Sequence, residues 1–443
     1  MSAALPVVNG PAFQTGVHYE HFLDCVHCGL CTSACPTYLE LGTEMDGPRG
    51  RIYLMKAVAD GRLPLSDELE RHIDLCLDCR ACETACPSGV QYGRLIEPFR
   101  AALEERRRSI NGDSWFQKWI LFPLFPFANR MRWALWPAKI AQSLRLDWLL
   151  LDKLRLHRLL PKTLQQMALM LPRLRSSPKL PPFLPAKGPK RATVALATGC
   201  VADAVFRHVH WATARVLQEN GCDVHIPEAQ GCCGAIHYHA GAEKPAIERA
   251  ANNAKAFDLD AVDAVIVNVA GCGAMMKDYG HLPLSDEQRP AIERLAKKTM
   301  DVSEFLHKLG PIAPKGKIER TAVYHDACHL AHAQQIRQQP RDLLGMIPGL
   351  NVSPIAEADV CCGAAGTYNL TEPEMADRLA KRKTDAILDA QPELLVTPNA
   401  GCHLHLGRKL RERGRKLWIG HPMELLDMSY RGEQPVLAEA RSS

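Results

Sequence analysis

Residues 25–36 read Cys25-Val-His-Cys28-Gly-Leu-Cys31-Thr-Ser-Ala-Cys35-Pro36, and residues 76–87 read Cys76-Leu-Asp-Cys79-Arg-Ala-Cys82-Glu-Thr-Ala-Cys86-Pro87. Both follow Cys-x2-Cys-x2-Cys-x3-Cys-Pro. Three cysteines two residues apart wrap one side of a small inorganic core, and a fourth must arrive from elsewhere. That is the ligand pattern of a cubane iron–sulfur cluster. Zinc sites favour two Cys-x2-Cys pairs far apart instead. The proline turns the chain away from the core and offers no N–H there.

The doubled motif resembles the two-cluster ferredoxins, in which the fourth cysteine comes from the other motif. The resemblance implies one [4Fe–4S] cluster on Cys25, Cys28, Cys31 and Cys86, and a second on Cys76, Cys79, Cys82 and Cys35. Forty residues separate Cys35 from Cys76, against the short spacers of the smallest ferredoxins. Within them, Pro48 suits the first turn of a helix whose apolar face carries Ile52, Met55 and Ala59. Ser66 suits the cap of a second helix. This spacing resembles the helical ferredoxin domain of respiratory iron–sulfur subunits and implies a helical domain over residues 15–105. Arg49 and Arg51 read first as solvated charges; the alternative is that they offset cluster charge.

The C-terminal half is duplicated. Cys200, Cys232, Cys233 and Cys272 recur as Cys328, Cys361, Cys362 and Cys402, at offsets of 128, 129, 129 and 130. Gly-Cys-Cys-Gly at 231–234 matches Val-Cys-Cys-Gly at 360–363, and Ala-Gly-Cys at 270–272 matches the same triplet at 400–402. Each copy alternates short apolar strands with helices, which predicts α/β domains over 191–310 and 318–430 with an open parallel sheet. In such sheets ligands gather at strand carboxyl ends. Paired cysteines flanked by glycine suit a multi-metal centre better than core packing, since glycine relieves the backbone beside a bulky group. Cys222 has Leu350 as its counterpart and reads as a small buried hydrophobe. His325, His329 and His332 crowd round Cys328; most read as polar loop residues, with proton relay beside a redox centre as the alternative.

The two copies resemble the CCG-type cysteine-rich domains of the heterodisulfide reductase, lactate-utilisation and glycolate oxidase families. Their full pattern has a fifth cysteine, here Met275 in the first copy and His405 in the second. The departure puts the family's non-cubane cluster in doubt, most of all in the first copy. Cys200, Cys232, Cys233, Cys272, Cys328, Cys361, Cys362, Cys402 and His405 are the candidate ligands. A further iron–sulfur cluster, a zinc ion and an empty site all fit four thiols.

The 443 residues hold 17 cysteines, a net charge of +5 and no low-complexity tract. Clustered cysteines in a chain without a secretory leader or an apolar run of spanning length predict metal sites in the cytoplasm, not disulfides. A connecting segment, 106–190, separates the halves. From Ser114 to Arg191 it carries 15 Lys/Arg against Asp147 and Asp152, and five of the seven tryptophans: Trp115, Trp119, Trp133, Trp136 and Trp148. That composition predicts a surface meeting membrane or partner, or else a linker packed on the CCG units. No dinucleotide fingerprint, Walker loop, Gly-x-Ser-x-Gly or His-Glu-x-x-His occurs, so substrate oxidation falls to a partner. Nothing points to nucleic acid.

Over nearly its full length the chain resembles the iron–sulfur subunit of bacterial glycolate oxidase (glycolate dehydrogenase), through CVHCGLCTSACPTYLELG, MDGPRGRIYLMK, CLDCRACETACPSGV, GCCGAIHYH, GCGAMMKDYG and CCGAAGTYNL. The resemblance implies an electron-carrying subunit that oxidises no substrate itself. It implies FAD-containing partner subunits that turn glycolate, and D-lactate, into the keto acid. It also implies delivery to membrane quinone from the cytoplasmic face of the inner membrane. Three other readings compete: the iron–sulfur subunit of anaerobic glycerol-3-phosphate dehydrogenase, a heterodisulfide-reductase-like enzyme catalysing at its CCG units, and a structural zinc scaffold.

Overall fold

The computed structural model describes residues 14–112, 114–146, 153–154 and 156–437. Asp147, Trp148 and Asp152 lie outside the described residues. The chain divides into two compact units, Met1–Ser114 with His237–Glu243, and Trp115–Ile236 with Lys244–Ser443.

The first unit is helical. Pro48 opens the helix Pro48–Ala59, whose buried face includes Ile52, Met55 and Val58. Ser66 caps the helix Asp67–Asp74, its Oγ accepting from Leu69 N at 3.3 Å. The long helix Gly93–Asn111 buries Leu95, Ile96, Phe99 and Leu103, a single 3.6-residue face. These residues form one core with Phe22 and Ile73, each large side chain contributing about 1.5–3 kcal/mol on burial. Arg100, from the same helix, donates to Ile73 O at 2.8 Å and to Cys76 O, and so anchors the chain where the second cysteine motif begins.

The second unit is α/β. Its strands are β1 (Phe183–Leu184), β2 (Ala192–Ala197), β3 (Cys222–His225), β4 (Ala264–Val267), β5 (Thr299–Asp301), β6 (Arg320–Tyr324), β7 (Leu350–Ser353), β8 (Leu394–Val396) and β9 (Trp418–Gly420). One sheet has the order β1-β3-β2-β4-β5 and the other β7-β6-β8-β9. Apart from the antiparallel edge strand β1, every pairing is parallel. The two sheets are copies: β2, β3, β4 and β5 recur as β6, β7, β8 and β9. In each copy the first strand lies inside the sheet, with the second on one side and the third on the other. The direction of winding reverses there and opens a crevice at the carboxyl ends.

The copies pack reciprocally. Helix Arg207–Glu219 of the first meets Pro422–Arg431 of the second, and Val302–Leu309 of the first meets Gln338–Gly345 of the second. A pseudo-two-fold relation follows from this exchange of equivalent elements. Arg215 clamps Asp427 across it at 2.8 and 2.6 Å, and one apolar core, including Val194, Ile266, Ala322 and Leu394, runs through both sheets. Cys222 sits fully buried in that core, as its leucine counterpart suggests.

Candidate iron–sulfur centres

Backbone geometry shapes the N-terminal motifs. The residues on either side of the middle cysteine are left-handed in both, His27 (φ 55°) and Gly29 (φ 85°), then Asp78 (φ 52°) and Arg80 (φ 60°). Alternation of this kind turns successive N–H groups inward, a concavity suited to anions. Asp78 N donates to Cys76 Sγ at 3.4 Å. Gly29 is doubly constrained, since a Cβ there would also stand 2.5 Å from Arg49 Nη1.

Two cavities result. One is lined by Cys25, Cys28, Cys31 and Cys86. The other is lined by Cys35, Cys76, Cys79 and Cys82, and Cys82 also borders the first. Each takes three cysteines from one motif and the last from the other. Burial pushes the Cys31 thiol up to about 11, and holds Cys82 far above the ordinary range. Without a cation these thiols stay protonated. A metal core would ionise them, so the donor set fits iron and sulfide.

Arg51 corrects the expectation of a solvated charge. Its side chain is 1% exposed. Nε donates to His72 O at 2.6 Å and Nη2 to Thr37 Oγ1 at 3.1 Å, while Nη1 stands 4.0 Å from Cys35 Sγ. Asp46 Oδ1 lies 3.9 Å away. Arg49 is different: about one third exposed, it is paired with Glu44 at 2.6 Å. Tyr92 was not foreseen; its hydroxyl donates to Cys76 Sγ at 3.7 Å.

In the α/β unit the four cysteines of each copy converge at the crevice. Cys200 and Cys328 follow the inner strands β2 and β6, while Cys272 and Cys402 lie in the first turns of the helices after β4 and β8. The paired cysteines arrive on the loops beyond β3 and β7. Cys200 Sγ is 3.4 Å from Cys232 Sγ, and Cys328 Sγ is 3.8 Å from Cys361 Sγ. Both exceed the ~2.05 Å of a disulfide, so neither of these pairs is bonded. The glycines that end the pairs, Gly234 and Gly363, share φ 89°. A Cβ there would press on Ala246 O at 3.1 Å or Ala376 O at 2.8 Å. Shared hydrogen bonding with Cys232 and Cys361, then burial, raises Cys200 and Cys328 well above the ordinary thiol. Here too the donors suit a cation.

Around the thiols the copies differ. Aligned by sequence, the offset of 128 between Cys200 and Cys328 puts Ala197 opposite His325, and the offset of 130 between Ala246 and Ala376 puts Asn253 opposite Lys383. Asn253 accepts from Gly231 N at 2.9 Å and donates to Cys232 O at 3.0 Å. Lys383, 3% exposed, donates to Glu357 O and to Ala358 O at 3.1 Å. Burial lowers the affinity of Lys383 for its proton, and the Cys362 and Cys361 thiols oppose that. His405 Nε2 donates to Ala376 O at 3.1 Å.

His325 and His332 are 1% and 4% exposed, which corrects the reading of these histidines as polar loop residues. His332 is held by Asp359 O at 3.0 Å and Arg337 Nη2 at 2.9 Å. His325 falls with Cys362 and Cys402 in a group whose ligand atoms lie within 4.8 Å of one another. A second such group, Asp78, Glu97 and His239, is filled by Arg80, which reaches Asp78 at 2.8 Å and Glu97 at 2.7 Å. Lys383 carried a legible signal, a lysine within the apolar stripe Ala376, Leu379, Ala380 and Ile387. For His325 the signal was its place at the carboxyl end of β6, where the loops of an open sheet converge.

A helical unit with a doubled four-cysteine motif, followed by paired α/β units that each gather four thiols, defines an iron–sulfur protein of the oxidoreductase class. Residues 21–90 match the 4Fe-4S dicluster domain family, and residues 194–277 and 322–407 match the cysteine-rich domain family. Residues 112–171 match the linker region of the glycolate oxidase iron–sulfur subunit. A Bacillus subtilis protein named as a probable glycolate oxidase iron–sulfur subunit is 39% identical over 409 residues, 91% of this chain and 92% of the relative. The glycolate oxidase iron–sulfur subunit of Escherichia coli is 33% identical over 406 residues, 89% of this chain and 92% of its own. Lactate utilization protein A of an Exiguobacterium species is 31% identical over 236 residues, 53% of this chain and 96% of its own. The chain belongs to the family of glycolate oxidase iron–sulfur subunits.

Proposed function

We propose that this chain is the electron-carrying subunit of a glycolate oxidase complex that converts glycolate, and D-lactate, to the corresponding keto acid. Oxidation of a 2-hydroxy acid releases two electrons and two protons together, a task for FAD on partner subunits. Two [4Fe–4S] clusters, when bound, supply one-electron acceptance and release at separate potentials. Cys25, Cys28, Cys31 and Cys86 hold one, and Cys76, Cys79, Cys82 and Cys35 hold the other. The observation that carries this reading is the pair of cavities, each lined by one of these sets. The inward N–H groups and the buried Arg51 favour an anionic core over neutral thiols.

Delivery is to membrane quinone, with the chain peripheral on the cytoplasmic face of the inner membrane. No helix among the described residues is long and apolar enough to cross a membrane. Trp115, Trp119, Trp133 and Trp136 are exposed, Trp133 at 77%, in a segment rich in Lys and Arg. Rings at headgroup depth with cations near anionic lipid suit a surface position.

The test is anaerobic purification of the full chain. The reading expects roughly eight iron atoms from the N-terminal motifs and broad absorbance near ~400 nm that reductant bleaches. The chain alone should not turn over glycolate with an artificial acceptor, and activity should appear on adding the flavin subunits. Zinc in place of iron, or glycolate turnover by the flavin-free chain, would overturn it.

A further inference from the structure

The second cysteine centre holds a donor that the first lacks. His325 follows β6 directly and is 1% exposed. Among the described residues neither of its ring nitrogens has a hydrogen-bond partner. An imidazole in a dry site normally spends at least one nitrogen on a neighbour, because burying it unmatched is costly. His332, seven residues on, does so with both. The unspent ring of His325 instead shares a group with Cys362 and Cys402, all ligand atoms within 4.8 Å of one another. Around one metal, a sulfur at ~2.3 Å and a nitrogen at ~2.0 Å on tetrahedral directions lie inside that limit.

We infer that His325 supplies an imidazole nitrogen to a metal centre in the second CCG unit, beside Cys328, Cys361, Cys362 and Cys402, and that this centre is an iron–sulfur cluster. The donor count decides the class. A single tetrahedral zinc takes four ligands, whereas here the group of His325, Cys362 and Cys402 continues through Cys361, hydrogen-bonded to Cys362, to Cys328, 3.8 Å from Cys361; five donors spread in this way serve more than one metal atom. Four of the five are soft sulfurs, which suit iron with sulfide. Lys383, buried beside the paired cysteines, places a cation where an anionic cluster would sit. In the first unit Ala197 and Asn253 occupy the two positions, so that unit has neither the imidazole nor the ammonium. His405, at the family's fifth-ligand position, is instead engaged with Ala376 O. The inference rests on the reading of the chain as an iron–sulfur protein but concerns a centre that the N-terminal motifs do not supply.

The experiment uses the full chain, purified without oxygen, with iron, sulfide and zinc counted per chain and pulsed EPR read for coupling to a ligand nitrogen. Wild type should hold iron above the roughly eight atoms of the N-terminal motifs, and should show the nitrogen coupling. His325→Ala should lose the excess iron and the coupling. His325→Cys should keep the iron and lose only the coupling, which separates ligation from a failure to fold. His405→Ala should keep both. A Cys79→Ser background, which removes N-terminal iron, should leave the nitrogen-coupled signal in place. The two readings therefore fail separately. Equal iron and unchanged coupling in wild type and His325→Ala would overturn the inference. So would no iron beyond the N-terminal share, or zinc alone at the second centre.

Discussion

Arg51→Met should lower the potential of the cluster proposed on Cys76, Cys79, Cys82 and Cys35 and leave the other nearly unchanged. The guanidinium is buried, with Nη1 4.0 Å from Cys35 Sγ. A unit charge at ~4 Å in an effective dielectric of ~20 is worth about 4 kcal/mol. Asp46, 3.9 Å from the guanidinium, cancels part of that field, and about half is a reasonable remainder. For one electron, 59 mV corresponds to about 1.4 kcal/mol, so roughly 2 kcal/mol becomes a fall of about 80 mV. The double variant Arg51→Met with Asp46→Asn removes both charges and should recover part of the fall. Arg49→Gln is the control, because Arg49 is partly solvated and already paired with Glu44; about 20 mV or less is expected. Anaerobic redox titration followed by EPR gives all four values on the full chain. A shift below about 20 mV for Arg51→Met, or an upward one, would refute the electrostatic role.

Gly363→Ala should cost about 2 kcal/mol or more, and more than Gly234→Ala, because its Cβ would stand 2.8 Å from backbone oxygen against 3.1 Å; thermal unfolding of the two variants ranks them. His210 and His421 are buried neutral, burial holding them down at about 4 and about 3. Their folded values lie below the unfolded ~6.5, so their stabilisation is complete above pH 6.5 and is lost as pH falls toward 4. For His210 the loss approaches about 3 kcal/mol. His421→Asn, which keeps an acceptor for Met423 N, should flatten denaturation midpoints measured between pH 7 and 5, and an unchanged slope counts against the assignment. Replacing Trp115, Trp119, Trp133 and Trp136 by alanine should abolish salt-sensitive sedimentation with anionic vesicles; wild-type protein that ignores such vesicles would leave partner docking as the role of the segment.

Where the sequence was legible, a local physical rule was enough. Pro48 and Ser66 announce two helices because a ring with fixed φ and a hydroxyl acceptor each suit a helix start. The near-constant offset between the two cysteine sets announces a repeated sheet, and the structure repeats it strand for strand from β2 to β9. Long-range burial was not legible. Arg49 and Arg51 sit two residues apart on one helix and look alike as text. Helical geometry turns one toward Glu44 and solvent and the other inward to Thr37 and His72 O, a contact with a residue 21 positions away. His325 was hidden for a related reason. Next to two other histidines it reads as part of a polar loop, but the sheet places it at the end of an inner strand, and its neighbours Cys362 and Cys402 come from the loop beyond β7 and the helix after β8.

The duplication makes the difference between the centres interpretable, because the first copy serves as a control for the second. Both copies keep the same backbone device, a glycine at φ 89° after the cysteine pair, so the scaffold that aims the thiols is common. In the first copy two polar side chains near the thiols are spent on the protein itself. Asn253 ties Gly231 N to Cys232 O, and Tyr279 Oη donates to Cys233 O at 2.7 Å. Such a closed network rigidifies a loop and needs no ligand to justify its burial. In the second copy Lys383 stands where Asn253 does, which adds a buried charge, and His325 adds a buried ring with both nitrogens unmatched among the described residues. The ring is costly in an apolar interior unless a donor or a metal meets it, whereas the Lys383 ammonium is met by Glu357 O and Ala358 O. The unmatched ring of His325 is what sets the second copy apart from the first, and it is the position that the His325→Ala variant tests.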